Sequence, residues 1–356
     1  MRILVYGAGG LGSLLAARLF ESGQEVSLLA RGQRLVNLHQ NGLVLEDLIT
    51  HLRRTYAVRV VDTLAPGDIY DWVIIVMGKQ HLSEILPTLA VNQNVRNYLF
   101  MGNNVAGGAA LAEAVGRERV LLGFFMAVGK IAGPVAYAAN QIDGEISPSL
   151  IGELDGTVSP RLIEIAAVFE NAHLPVQFCS DIQAWLKCHA ALIVPLGGAY
   201  FLADRSLLRM ARTRDVQIIL VRAVREALQV LRFYKIPIMP SSLKLFLWLP
   251  EPLALLLIER ALQNPNLAYA LIHAEGVRSE INQLGREFCL LARGAGMLAP
   301  HFDRLLLATT PQSRPLPEGS RKLPVDWRSV YALIGALAAM AGLAYGISIL
   351  RSRRLD

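Results

Sequence analysis

Residues 3–23 read ILVYGAGGLGSLLAARLFESG. An apolar run ends in a glycine, three more glycines follow closely, and an apolar stretch of helical spacing stops at a fifth. This order predicts a strand, a tight turn and a helix. The turn GAGGLG, Gly7–Gly12, fits G-x-G-x-x-G, a spacing that carries weight only between a strand and a helix. Each motif glycine then has its own task. Gly7 makes the tight turn, Gly9 lets the backbone approach a pyrophosphate, and Gly12 allows close helix–strand packing. Free N–H groups and the helix dipole favour negative charge here, so Gly7, Gly9, Gly10, Leu11 and Gly12 form a candidate phosphate cradle.

Outward from this unit, EVSLLAR (25–31), WVIIVMG (72–78), RNYLFMG (96–102) and RVLLGFFMA (119–127) are further strand candidates, with helical stretches between them. That rhythm predicts an α/β fold with a Rossmann-type, doubly wound parallel sheet. Residues 131–160, rich in Gly, Pro, Ser and Asp, read as turns and short strands. The second strand ends in Ala30-Arg31-Gly32, with Arg34 nearby and no carboxylate at that corner. An arginine there suits a ribose 2′-phosphate by charge and bidentate geometry, which predicts NADPH over NADH.

From about Ser180 the pattern changes. Residues 182–235 and 253–295 carry long helical periodicities, broken at PIMPSS (237–242) and LPEP (249–252). The expected organisation is a cofactor-binding domain over 1–179 and an all-helical domain over 180–308. A proline-rich extended linker follows over 309–328. Ser329–Leu350 then gives 22 residues without a charge, closed by Arg351, Arg353 and Arg354. As a helix they would reach about 33 Å, enough for one C-terminal transmembrane span. The alternative is a helix packed on the globular part. A cofactor-binding domain belongs in the cytosol, so the expectation is a membrane-anchored chain with its catalytic part cytoplasmic. The positive-inside rule would place the terminal arginines there too, against a single span.

Composition narrows the field. Among 356 residues, 53% are hydrophobic and 18% charged, which excludes a disordered chain. The net charge of +6 is scattered, with no basic run carrying aromatics, so no nucleic-acid partner is expected. Cys179, Cys188 and Cys289 form no CxxC pair and read as reduced thiols. The seven histidines show no ligand spacing, so no metal is expected; His189 reads as a core residue. Residue 1 leads straight into a strand, so no signal peptide is expected.

One residue stands out in the helical half. AWLKCHAALIVPLGGAY (184–200) is nearly all apolar, yet it carries Lys187, one of six lysines among 35 Lys and Arg residues. By itself this could be a lysine that snorkels from a partly exposed helix. Taken with GAGGLG, Arg31, Lys79 in VMGKQ, Asn103 in MGNN and Glu280 in SEINQL, it resembles the ketopantoate reductase (2-dehydropantoate 2-reductase) family over about residues 1–308. The resemblance implies hydride transfer from NADPH to the ketone of a 2-oxo acid, ketopantoate giving pantoate in pantothenate biosynthesis. It implies Lys187 as general acid, Glu280 on the substrate, Asn103 beside nicotinamide and substrate, Lys79 on the cofactor or substrate side, and a homodimer as one assembly. The chemistry agrees: charge develops on the carbonyl oxygen, and a lysine can give up a proton where an arginine cannot.

The sequence also departs from the family. Ala191 and Pro195 stand one and two turns after Lys187, where the family has asparagines. Ala268 replaces a serine, with Asn264 and Asn266 nearby, and Asn104 replaces a glycine whose left-handed backbone an asparagine tolerates. A more apolar pocket for a bulkier 2-oxo acid or another ketone is expected. A non-catalytic, membrane-tethered NADPH-binding sensor or scaffold is the reading from a different class.

Overall fold

The computed structural model describes residues 1–142, 145–263, 278–332, 334–335 and 339. Strand β1 (Arg2–Tyr6) lies inside the first sheet, and its pleat sorts its side chains between two cores. Ile3 and Val5 enter one, Leu4 and Tyr6 the other. Burial on both faces explains why the strand reads as an unbroken apolar run. Helix α1 (Gly10–Glu21) follows, then β2 (Glu25–Leu29) and α2 (Gly32–Asn41). The chain continues through β3 (Leu43–Asp47), β4 (Arg53–Tyr56), β5 (Arg59–Val61), β6 (Tyr70–Ile75), α3 (Leu82–Val91), β7 (Val95–Met101), α4 (Ala109–Val115) and β8 (Val120–Phe124). Then come β9 (Val128–Ala132), β10 (Val135–Ala139), a small ribbon of β11 (Gln141–Ile142) and β12 (Glu145–Ile146), β13 (Ser149–Glu153), α5 (Pro160–Asn171) and β14 (Val176–Phe178).

The first sheet runs β14-β13-β8-β7-β6-β1-β2-β5. From β8 to β5 every pairing is parallel; β13 joins antiparallel and carries β14 at the edge. This is the doubly wound sheet the glycine turn predicts. A second sheet, β4-β3-β10-β9, packs against α1 and has no counterpart in the expectations above for residues 43–56. Its strands are short, and β4 is RRTY, whose charged residues hide the alternation of a sheet.

The helical part comprises α6 (Ile182–Leu202), α7 (Leu207–Arg212), α8 (Arg214–Phe233), α9 (Leu245–Trp248), α10 (Glu251–Leu262), α11 (Arg278–Gly294) and α12 (Pro300–Ala308). The Asp181 side chain caps α6 by accepting from the Ala184 N–H at 2.9 Å. Among the described residues α6 is the one helix long and apolar enough to cross a membrane. It is a core helix: 61% of its apolar window is buried, and it packs on α8, α11 and α12. Gly198 permits the closest of these approaches, since a Cβ there would fall 2.4 Å from the Leu305 carbonyl oxygen.

The expected linker is extended but not loose. Leu316 donates its N–H to the Leu202 carbonyl, and Gly319 to Thr213 Oγ1. Buried Asp215 accepts from the Ser320 hydroxyl and from the N–H groups of Lys322 (3.0 Å) and Leu323 (2.8 Å). Arg222 grips Glu251 through two 2.8 Å bonds and also donates to the Pro324 carbonyl. Glu251 in turn accepts from the Asp326 N–H at 2.9 Å. Residues 316–326 are thus a strap across α8 and α10, with Leu323 and Val325 packed on their core. The expected transmembrane helix at 329–350 falls largely outside the described residues. Its described start, 328–332, is helical.

Candidate active site

The glycine turn is built as its spacing requires. Gly7 sits at φ +121°, and a Cβ there would lie 2.3 Å from the Val76 carbonyl oxygen. A Cβ on Gly12 would lie 1.8 Å from the Gly7 carbonyl oxygen and against Val5. Gly9 is exposed, and a Cβ there would meet nothing within 4 Å, which leaves its backbone open to a ligand. The first turn of α1 carries no acidic residue. Leu11 is half-buried and packs on the core beneath the helix. Gly10, a variable position in the motif, is as constrained as its neighbours. A Cβ there would stand 2.5 Å from backbone atoms of Gly129 and Lys130 in β9. The second sheet presses on the start of α1 and imposes this requirement, which the motif does not contain.

Arg31 and Arg34 divide the work at the end of β2. Arg34 ties the turn together by donating to the Ala8 carbonyl (3.1 Å), Ser13 Oγ (3.1 Å) and the Pro134 carbonyl (2.7 Å). Arg31 precedes α2, lies exposed, and donates to the Tyr6 hydroxyl at 2.7 Å. Open backbone at Gly9, free helix N–H groups and an exposed guanidinium together fit a phosphate-bearing ligand.

The second half of the site lies where the loops after β6 and β7 meet the helical part. Glu280, at the start of α11, is 7% exposed and reaches across to these loops. It accepts from Asn103 Nδ2 at 3.1 Å and from the Lys79 N–H at 3.4 Å. Burial pushes its carboxyl pKa up, against the pull of those two donors. The Lys79 ammonium donates to Asn104 Oδ1 at 3.1 Å and lies 3.9 Å from Glu287. Burial pushes Lys79 down, and Glu287 opposes this. Asn103 Oδ1 is buried with no hydrogen-bond partner, a polar atom that a bound ligand could satisfy.

Lys187 comes to the same loop from α6. Its Nζ lies 3.5 Å from where a Cβ on Gly107 would stand. It is half-buried and makes no hydrogen bond or ion pair among the described residues. Burial pushes its pKa down, and Asp181 opposes this from one and a half turns away. One turn before Lys187, Gln183 accepts from the Gly108 N–H (3.0 Å) and donates to the Leu154 carbonyl (3.2 Å). The loop 103–108 is therefore approached by both Lys187 and Glu280, at Gly107 and Asn103, from helices about ninety residues apart in sequence. His189 lies apart from this cluster. It stacks on Trp185 at 5.0 Å and lies 4.4 Å from Phe124, and burial pushes its pKa down to about 4, so it is a neutral, partly buried member of an aromatic cluster.

Two departures look different in three dimensions. Asn104 does not adopt a left-handed backbone. It is 4% exposed and ties the loop by accepting from the Gly107 N–H (3.1 Å) and donating to the Gly107 carbonyl (2.8 Å), besides receiving Lys79. Ala191 and Pro195 are both buried on α6. Pro195 has no N–H, so the Ala191 carbonyl loses its i+4 helical donor. Ala268, Asn264 and Asn266 lie outside the described residues. Glu287 and Gln183 were not singled out from the sequence, although Glu287 stands two turns from Glu280 on the same helix face. Glu287 also accepts from the Ala106 N–H at 3.2 Å.

Comparison with known proteins points to one family. Residues 3–149 match the family model described as ketopantoate reductase PanE/ApbA. The 2-dehydropantoate 2-reductase of Mesorhizobium japonicum is 28% identical over 272 residues, 65% of this chain and 77% of that protein. Among solved structures, a PanE/ApbA family ketopantoate reductase from Ralstonia eutropha aligns with a TM-score of 0.71 at 18% identity, covering 87% of this chain and 97% of that one. A D-mandelate dehydrogenase solved with NADH and anilino(oxo)acetate aligns with the same TM-score at 16% identity and the same coverage. At such identities the structural likeness is one of fold. Residues 3–149 thus match the ketopantoate reductase family, and the whole two-part fold is shared with structures solved under that family's name.

Proposed function

We propose that this protein is an NADPH-dependent reductase of 2-oxo acids, of which ketopantoate is one candidate. The observation that carries the reading is the half-buried Lys187 ammonium, without a protein partner among the described residues, beside the loop that also holds Glu280 and Asn103. When bound, the reduced nicotinamide supplies the hydride. Residues 7–12 would hold its pyrophosphate and Arg31 its 2′-phosphate. Lys187 donates its Nζ proton to the carbonyl oxygen as the carbonyl carbon gains the hydride, and the product is the 2-hydroxy acid. The lowered pKa of Lys187 makes that proton easier to give. Glu280 orients the Asn103 amide, whose unpartnered oxygen faces the same region, and Lys79 stays in place between Asn104 and Glu287.

Ala191 and Pro195 support a substrate with more apolar bulk than ketopantoate, because no side-chain amide is available on that part of α6. The test is NADPH oxidation with ketopantoate and with alkyl- and aryl-substituted 2-oxo acids. Turnover with at least one of them is expected. Tight NADPH binding without turnover of any ketone would favour the sensor reading, which the same two residues support. Arg31→Ala should raise the NADPH KM about 10–100-fold, the worth of a charge-assisted contact, and leave the NADH KM nearly unchanged. Equal effects on both would reject the 2′-phosphate role.

We also propose that residues 329–350 form a single bilayer span that holds the catalytic body on the cytoplasmic side. Their 22 uncharged residues support the span, and the cofactor's place in the cytosol supports the orientation against the pull of the terminal arginines.

A further inference from the structure

Helix α10 carries apolar residues on both sides. Ala254 and Leu255 face the core, but Leu253, Leu256 and Leu257 face solvent, with Leu256 60% exposed. These three repeat at i, i+3 and i+4, so they form one outward stripe. Leu245 and Trp248 of the preceding turn extend it, Trp248 at 73% exposed. The corner between α9 and α10 is held from inside, since Arg225 donates to the carbonyls of Phe246 (2.8 Å) and Leu249. Arg232 lies over the Trp248 ring at 5.8 Å, and Lys244 is exposed beside it.

The strap decides what this face meets. Asp326 is bonded to Glu251, the buried first residue of α10, so the chain reaches residue 327 at the start of that helix, on its core side, rather than at the end of a free tether. Arg321, Lys322 and Arg328 are exposed around that exit. From these positions we infer that the outward face of α9 and α10 lies on the membrane surface, with its leucines and Trp248 in the headgroup–acyl boundary and the basic residues toward anionic lipid. A rigid amphipathic corner with an exposed tryptophan and basic flanks has the chemistry of an interfacial anchor. The chain's own 329–350 segment is a poorer occupant. A helix of about 33 Å that is apolar on every face cannot be covered by a 12-residue helix of about 18 Å. The inference rests on the reading of 329–350 as a bilayer span, and the experiment separates the two.

The full chain, as Cys289→Ser with Leu256→Cys bearing an environment-sensitive fluorophore, is reconstituted in phosphatidylcholine vesicles containing phosphatidylserine. A label at Phe20→Cys, on α1, serves as reference. The Leu256 label should shift to the blue on vesicles and be quenched by brominated lipid at least about threefold more than the reference, as expected for a side chain 5–10 Å into the interface. A Leu256 label that stays in water while the chain resists salt and carbonate extraction would overturn the docking face and leave the span standing. A label already shifted without vesicles, in a salt-extractable chain, would overturn both and assign the face to residues 329–350.

Discussion

Lys187→Ala should lower kcat for NADPH oxidation with the best 2-oxo acid by about 10²–10⁴-fold, the usual contribution of a positioned general acid. That is about 3–5.5 kcal/mol of transition-state stabilisation. NADPH binding, followed by fluorescence, changes little, because Lys187 approaches the loop after β7 and not the glycine turn. Lys187→Arg does not rescue turnover, since a guanidinium keeps its charge but holds its proton too firmly. The pH profile carries the same assignment. With the acid form the active one, the rate should be level at low pH and fall as pH rises through the pKa of Lys187. Burial pushes that pKa down, so the fall comes below the ordinary lysine range. Wild-type turnover in Lys187→Ala would refute the mechanism, whatever the substrate.

Gly10→Ala should damage the protein more than Gly9→Ala, although the motif prescribes glycine at position 9 and leaves position 10 free. The added methyl at Gly10 would stand 2.5 Å from the backbone of Gly129 and Lys130, and backbone yields less than a side chain. We expect a loss of at least about 2 kcal/mol, in the upper part of the range for overpacked sites, read as a lower thermal midpoint. NADPH affinity should fall with it, because the start of α1 must shift. Gly9→Ala has open space around its methyl, so its midpoint should hold while NADPH binding weakens. A Gly10→Ala midpoint equal to wild type would mean that β9 does not press on α1.

What the sequence discloses and what it hides have separate causes. The parallel sheet is legible because strands buried on both faces are unbroken apolar runs, as in WVIIVMG, and because Gly7–Gly12 follows one of them. The second sheet is hidden because β4 and β9 are short and mostly exposed, so no core imposes alternation on them. Lys187 is conspicuous as a cation in an apolar helix, and Glu280 follows from the family pattern. Glu287 and Asn104 are inconspicuous because their partners, Ala106, Gly107 and Lys79, are brought near only by the fold. The strap reads as a linker because its groups bond outward and form no regular structure of their own: the Ser320 hydroxyl and backbone N–H groups donate to Asp215 and Glu251, and the Pro324 carbonyl accepts from Arg222.

That strap sets where the chain can be cut. A protein shortened before Pro311, the natural choice for removing a proline-rich tail, would lose Ser320, Lys322 and Leu323, the donors that hold the Asp215 carboxyl below its usual range against its burial. It would also strip the Asp326 N–H from buried Glu251 and the Pro324 carbonyl from its half-buried partner Arg222. Each orphaned buried group costs about 1–3 kcal/mol, so that fragment starts several kcal/mol in debt. A chain ending at Arg328 keeps every one of these contacts and sheds the apolar segment with the basic tail behind it. Soluble protein for kinetics should stop there, and poor expression of the shorter fragment would say nothing about the enzyme itself.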